Sequence, residues 1–280
     1  MAEHLIELVD TWLKTPSTLL EVEDAEKQRL LWIGVVISLV QLNTPETLGQ
    51  IFKIARSAPR EDIRDLSIST LFYLANQENE QAKNALFSLA IDFNHTPTLQ
   101  SLAEKGMTPD DDNRKALFFL LSGQEKKYKS FDPSQSRITQ IFRNSPSELQ
   151  ERILSAATQL TMNEWVIIAK AIRSPEEGMS QLCDYWPHFI RQELKNLAFT
   201  ELFMLAKSDS EQAQQTICDL YLRYEDPKAL ELALSMAYLP QKISDRALFY
   251  YLTGQLKLYQ DLDFDHRLLS TIYENTSRWM

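Results

Sequence analysis

Apolar residues recur at spacings of three and four along most of the chain, which is the pattern of amphipathic helices. In residues 61–75, for example, Ile63, Leu66 and Leu74 share one face, and residues 208–224 show the same pattern. No run alternates between apolar and polar positions over the length of a strand. The pattern therefore predicts an all-α protein of about fifteen helices joined by short polar loops.

Proline marks many of the predicted helix starts. Eight of the 11 prolines follow Ser, Thr or Asp, which suits an N-cap residue followed by proline at the first helical position. These pairs begin at Thr15, Thr44, Thr96, Thr108, Asp132, Ser145, Ser174 and Asp226. Two capping boxes are also predicted, from Thr161 to Glu164 and from Ser208 to Glu211.

The strongest signal is an internal repeat. Residues 71–142 align with residues 202–273 at a constant offset of 131, and 20 of the 72 positions are identical. The segment Ala116–Tyr128 (ALFFLLSGQEKKY) aligns with Ala247–Tyr259 (ALFYYLTGQLKLY). We infer two tandem copies of one multi-helix unit, each with several helical hairpins.

Upstream of this region the offset changes. Residues 41–57 resemble residues 159–174 at an offset near 117, which predicts a net insertion of about 14 residues in the second copy, within 175–192. We expect a first helical-repeat half over residues 1–144 and a second over 145–280. The second copy is expected to lack its last helices, and both halves to form one continuous solenoid.

Tandem helical hairpins with apolar stripes resemble the HEAT and armadillo class of repeat proteins. That resemblance implies a right-handed α-α superhelix, in which stacked hairpins bury a continuous core. The element ALF-x3-[ST]-G-Q-x-K-x-Y is also similar to helical segments that accompany propeller repeats in some bacterial multidomain proteins. In this element, Gly123 and Gly254 directly follow an apolar helix, where a left-handed C′ residue is expected.

The composition excludes some classes of protein function. The chain has only 6 glycines, never clustered, which excludes a glycine-rich nucleotide-binding loop. Its net charge is −10, so we expect no nucleic-acid partner. The most apolar run, residues 30–42, is too short to cross a bilayer. A buried core helix, a strand and a docking face for a partner are the three interpretations of this run.

The potentially reactive residues form no recognisable catalytic or metal-binding motif. Cys183 and Cys218 do not make a disulfide framework and are expected to be buried thiols of a cytoplasmic protein. The 4 histidines stand in no metal-ligand spacing. We therefore expect no catalytic residue, no metal and no cofactor, and hence a protein that is not an enzyme.

One segment stands out by its aromatic content. Tyr185, Trp186, His188 and Phe189 lie within five consecutive positions, inside or beside the insertion. One interpretation is that these side chains fill the core between hairpins. The other is that they bind a partner, since aromatic residues are enriched at interface hot spots. Trp279 is a further candidate contact, because the exposed end of a solenoid is normally capped.

These patterns favour a non-catalytic scaffold, adaptor or regulatory subunit whose partner is another protein. Self-association through the C-terminal end is a further expectation, and binding to membranes is not expected. One alternative is a helical domain of a larger bacterial signalling or defence protein. The other is a HEAT-like nucleic-acid-processing enzyme, which would need a basic concave stripe with a buried carboxylate.

Overall fold

A computed structural model describes residues 2–14 and 25–277 of the chain. In these residues the regular structure comprises 18 α-helices and one 3₁₀-helix, with no β-strand, and this confirms the prediction of an all-α protein. The first seven helices are α1 (Ala2–Lys14), α2 (Ala25–Leu42), α3 (Pro45–Ser57), α4 (Glu61–Ala75), α5 (Glu80–Ile91), α6 (Thr96–Glu104) and α7 (Asp112–Leu121). The others are α8 (Glu125–Phe131), α9 (Ser136–Asn144), α10 (Ser147–Gln159), α11 (Asn163–Arg173), α12 (Pro175–Tyr185), the 3₁₀-helix Trp186–His188, α13 (Gln192–Lys207), α14 (Glu211–Tyr224), α15 (Pro227–Ser235), α16 (Ile243–Leu252), α17 (Leu256–Leu262) and α18 (Arg267–Ser277).

The helices belong to two compact units, Met1–Gln124 and Glu125–Met280. Within each unit, helices that follow one another in sequence tend to pack together, as their apolar stripes predict. This sequential packing is compatible with a helical-repeat protein. The predicted boundary between homologous halves, at residues 144 and 145, concerns the repeat and stays a prediction.

Each unit has its own apolar core. In the first unit, Ile51 and Ile54 on α3 are buried with Leu71 on α4, and Trp12 on α1 packs edge-on against Trp32 at 5.0 Å between ring centroids. The core of the second unit joins helices from α11 to α16. Its members include Ile168, Leu182, Cys183, Leu202, Ile217, Cys218 and Phe249.

Three of the predicted proline starts are correct. Pro45, Pro175 and Pro227 take the first positions of α3, α12 and α15. Thr44 and Asp226 cap their helices through the side chain, as predicted. The Thr15 pair lies outside the described residues.

Three other predicted caps are wrong, and at two of them a different side chain reaches the free backbone donors. Asp111 caps α7 by accepting a hydrogen bond from Arg114 N–H at 2.8 Å. The helix therefore begins at Asp112, and not at Pro109 as the Thr108–Pro109 pair predicted. Ser210, and not Ser208, caps α14, since the Ser208 hydroxyl donates to a carbonyl in the last turn of α13. Thr161 has a φ of +53° and cannot take the extended conformation that an N-cap needs.

The repeated glycines end their helices as predicted. Gly123 has a φ of +71° and Gly254 a φ of +72°, both left-handed. After Gly123, the backbone N–H of Gln124 donates to the carbonyl of Phe119 at 2.9 Å, and the equivalent bond after Gly254 has the same length. This 6→1 bond is the Schellman motif, which satisfies a carbonyl at the helix end.

Helix boundaries and backbone conformations recur along the chain. Each of the six helices α4 to α9 begins 131 residues before its counterpart among α13 to α18. Residues with positive φ recur at the same offset, in the pairs Glu78 and Asp209, Asn94 and Glu225, Gly106 and Ala237, Gly123 and Gly254, and Gln135 and His266. The segment predicted as an insertion contains α12 and the 3₁₀-helix, which have no counterpart between α3 and α4.

Candidate functional site

The aromatic segment that the sequence singled out lies at the end of α12. Trp186 and Phe189 are buried in the core of the second unit. The Trp186 ring packs against Phe199 at 4.9 Å, and its Nε1–H donates to the Asp226 carboxylate at 3.1 Å. Trp186 therefore holds this aromatic segment against α13 and the start of α15.

Tyr185 and His188 form the outer part of the same cluster. The Tyr185 ring lies 5.5 Å from both the His188 ring and the Phe189 ring. His188 is exposed and Tyr185 is half-buried, so these two are the members that a partner could reach directly. Partner binding by the segment stays a prediction, and Trp279 lies outside the described residues.

A cavity of about 280 Å³ opens beside Tyr185, and its lining includes Gln135, Glu164 and Arg191. Gln135 is 2 % exposed, and its Oε1 has no hydrogen-bond partner. A buried acceptor without a donor costs about 1–3 kcal/mol. The cavity is therefore suited to a hydrogen-bond donor, including water.

Ile190 stands at the rim of this cavity and is 93 % exposed. Its backbone N–H donates to the Glu164 carboxylate at 2.5 Å, and Arg191 N–H donates to the same oxygen at 3.3 Å. This carboxylate therefore ties the loop to α11. The sequence did not single out Gln135 or Ile190, because neither belongs to a motif.

A polar cleft of about 360 Å³ lies between α14 and α16, where Gln215, Asp219, Arg223 and Asp245 are among its lining residues. Desolvation raises the pKa of Asp219. The hydrogen bond that Gln215 donates to it at 2.7 Å lowers this pKa, but by less. A carboxyl group with a raised pKa in a cleft is a common setting for acid–base chemistry. The nearby Cys183 thiol is buried and its pKa is raised to about 11, so it is protonated at neutral pH and is a poor nucleophile.

The first unit contains an apolar groove of about 340 Å³ between α2 and α4. Its lining includes Val36, Ile37, Leu66 and Tyr73, of which Ile37 and Tyr73 are more than half exposed. The apolar run at residues 30–42 is thus a helix and not a strand, but only one of its faces is buried. Its exposed apolar positions keep the docking interpretation open.

The helices α16 to α18 expose more large apolar side chains than any of these sites. From the end of α16 onwards these side chains are Tyr251, Leu252, Leu256, Leu258, Phe264 and Tyr273, and we call this set the C-terminal apolar surface. Tyr273 is 75 % exposed and Phe264 is 82 % exposed. Large exposed apolar areas are typical of interaction sites.

Comparison of the chain with protein-family models, with curated proteins and with solved structures finds no match. Within residues 2–14 and 25–277, no helix is long and apolar enough to span a membrane. In the same part of the chain, no group of three or more His, Cys, Asp or Glu side chains is arranged to hold a metal ion. The geometry described above is therefore the basis for any functional assignment.

Proposed function

We propose that the protein is a non-catalytic scaffold that binds another protein. It would be a HEAT- or armadillo-like solenoid built from two tandem copies of one helical unit. The recurrence of six helix starts and five left-handed residues at an offset of 131 supports this duplication. A reducing, cytoplasmic location fits its two buried free thiols.

The C-terminal apolar surface is the observation that carries this proposal. Its six members belong to three short consecutive helices and the loop between two of them. Two members are tyrosines, a residue type enriched at protein–protein interfaces. Leaving so much large apolar surface in water is uncommon for a protein that acts alone.

Affinity capture from the native source would test the proposal, with the full-length tagged chain as bait and chemical cross-linking to map contacts. We expect a specific partner whose cross-links fall on α16–α18. Replacing Tyr251 and Tyr273 together by lysine should lower its recovery about ten-fold or more, because loss of an interface hot spot costs about 2 kcal/mol.

A control is Ile190→Lys, which places one of these two added charges at an exposed apolar position outside the C-terminal apolar surface. It should leave recovery unchanged, and circular dichroism should report the same helicity for all variants. Absence of any specific partner would overturn the proposal. If Tyr185→Ala and His188→Ala reduce recovery while the lysine pair does not, binding belongs to the aromatic segment.

A further inference from the structure

The cavity of about 280 Å³ beside Tyr185 has a buried hydrogen-bond acceptor without a donor. Gln135 lines this cavity and is 2 % exposed, and within the described residues its Oε1 accepts no hydrogen bond. At the offset of 131 its counterpart is His266, whose ring Nδ1 lies 2.6 Å from the Tyr259 hydroxyl. Buried acceptors are almost always paired, so the unpaired oxygen of Gln135 indicates a donor that binds in the cavity.

The first turn of α11 contributes backbone donors to the same cavity. Met162 occupies the N-cap of this 11-residue helix and forms no side-chain cap hydrogen bond. The N–H groups of the first turn therefore have no capping side chain, and the lining of the cavity includes Met162, Asn163 and Glu164. The N-terminus of a helix carries a partial positive charge, so free N–H groups at this place favour a bound anion.

Arg191 lies between the first turn of α11 and the turn that contains Gln135. Its backbone N–H donates to the Glu164 carboxylate at 3.3 Å, and its guanidinium donates to the carbonyl of Pro133. In the part of the chain that the structure describes, this guanidinium forms no ion pair, whereas Lys129 in the same lining is paired on its own helix. A guanidinium has several N–H donors in a planar fork, so Arg191 retains donors for a bound carboxylate.

We propose that this cavity binds the C-terminal residue of a peptide, with the terminal carboxylate at Arg191 and the first turn of α11. The amide N–H of that residue would donate to Gln135 Oε1, and an apolar side chain would contact the buried Met162 and Leu194. Capture of a terminal carboxylate by backbone N–H groups is a recurring mode of peptide recognition. The cavity shares no residue with the C-terminal apolar surface, so this inference does not depend on binding at that surface.

The surroundings of the cavity favour a peptide over a free amino acid. Ile190 is 93 % exposed at the rim and Tyr185 is half-buried in the lining, so both offer contacts to the residues that precede the last one. A free amino acid would leave the side chain of Ile190 in water. Among the described lining residues, Glu164 has the only carboxylate that could bind an ammonium group, and it already accepts hydrogen bonds from two backbone N–H groups.

A competition between two kinds of peptide end tests the site. The full-length protein is immobilised and incubated with an equal mixture of short N-acetylated peptides that end in a carboxylate or in a carboxamide. The peptides have random sequences without acidic side chains and an apolar last residue. We expect the free-acid peptides to be enriched about ten-fold or more, because the amide loses a charge-assisted hydrogen bond. Equal recovery of the two forms, measured by mass spectrometry, would overturn the proposal.

A pair of arginine variants locates the carboxylate. Arg191→Gln should reduce the enrichment to about one-tenth, since the guanidinium is the charged donor of the cavity. Arg173→Gln removes the same charge at the other end of α11, where Arg173 is exposed and paired with Glu151. This control should leave the enrichment unchanged. Equal losses in both variants would show that overall charge selects the free-acid peptides, and would overturn the site.

Gln135→Met tests the acceptor, because methionine has a similar length and shape but no amide oxygen. The affinity of the most enriched free-acid peptide should fall about ten-fold. The midpoint of thermal unfolding of the protein without peptide should stay the same or rise, because a buried acceptor without a donor disappears. A lower midpoint with unchanged peptide affinity would show that Gln135 serves the fold through a bound water, and would overturn the assignment.

Small probes distinguish a peptide end from a free amino acid. N-acetyl-leucine carries the carboxylate, the amide N–H and an apolar side chain, whereas leucine carries an ammonium group in place of the amide. At equal concentration, we expect N-acetyl-leucine to displace the enriched peptide more effectively than leucine does. Stronger displacement by leucine would make a free amino acid the occupant and would overturn the inference. Each of these outcomes is independent of affinity capture through α16–α18, so this inference and the proposed function can fail separately.

Discussion

Gly178 is a residue that the packing of one helix pair requires. It lies on α12, where a Cβ would meet the backbone of Ala171 on α11 at 2.5 Å. Such a contact has no flexible side chain that could move away. The sequence could not identify this glycine, because its requirement comes from a neighbouring helix and not from its own backbone conformation.

Gly178→Ala should destabilise the protein by about 1–3 kcal/mol, since the added methyl overpacks two helices. Gly34→Ala is the matched control, because it also lies inside a helix but meets nothing within 4 Å. That variant should gain up to about 1 kcal/mol from helix propensity. Urea unfolding of both variants measures the two effects, and a neutral Gly178→Ala would contradict the close packing.

Helix ends are where the sequence pattern and the structure differ most. The Asp132–Pro133 pair was predicted to start a helix, but α9 begins only at Ser136. Asp132 instead accepts from a backbone N–H of α9 from outside the helix, as Asp263 does for α18. The two oxygens of Asp263 accept from Leu268 N–H at 3.0 Å and Leu269 N–H at 3.2 Å. Which acid or hydroxyl caps a helix depends on the turn geometry before it, and proline spacing alone does not determine that geometry.

Asp263→Asn should destabilise the protein by about 1 kcal/mol at pH 7, the usual loss for a helix cap. Burial opposes the charged form of Asp263, but the two backbone N–H groups, the Tyr259 hydroxyl and the charge of His266 together outweigh it, so the pKa of Asp263 is lowered from its ordinary value. This stabilisation is present above the unfolded-state pKa and is lost as the pH falls through the lower folded-state pKa. The difference between the two proteins should therefore shrink below about pH 4.

Unfolding in urea at several pH values between 7 and 3 measures this dependence. Asp265→Asn provides a control in the same loop, since Asp265 is exposed and should contribute less than about 0.5 kcal/mol. An effect of Asp263→Asn that is equal at pH 7 and pH 3 would show that the charge does not contribute to the cap.

At the scale of the molecule, the two thiols report on the integrity of the second unit. Cys183 and Cys218 both belong to its core. Burial raises the pKa of Cys183 to about 11 and that of Cys218 to about 12. Both thiols are therefore protected from thiol reagents in two ways. The reagent cannot reach them in the folded protein, and only a small fraction of each is the reactive thiolate.

Native protein at pH 8 should react with a thiol reagent on a timescale at least about 100 times longer than unfolded protein, because thiolate and access both require opening. In increasing urea, labelling should follow the loss of helicity. Cys218→Ser assigns the remaining signal to Cys183. Rapid labelling of either thiol in native buffer would contradict the described core.

The amphipathic spacing determined much of the fold. It predicts α4 at Glu61–Ala75 with the boundaries that the structure has, and the repeat aligned two glycines that both end helices in the left-handed conformation. These features are local, because a helical stripe and a Schellman turn depend on residues within a few positions of each other.

Only the tertiary structure decided which apolar stripes are covered. The sequence left open whether Trp186 and Phe189 are core residues or exposed interface residues. In the structure, α13 and the start of α15 bury them. Phe142 on α9 and Tyr273 on α18 lie 131 residues apart and belong to similar apolar stripes, but Trp165 packs on Phe142, whereas Tyr273 is exposed. A sequence states which face of a helix is apolar, whereas its burial depends on a second helix that is distant in the chain or belongs to another molecule.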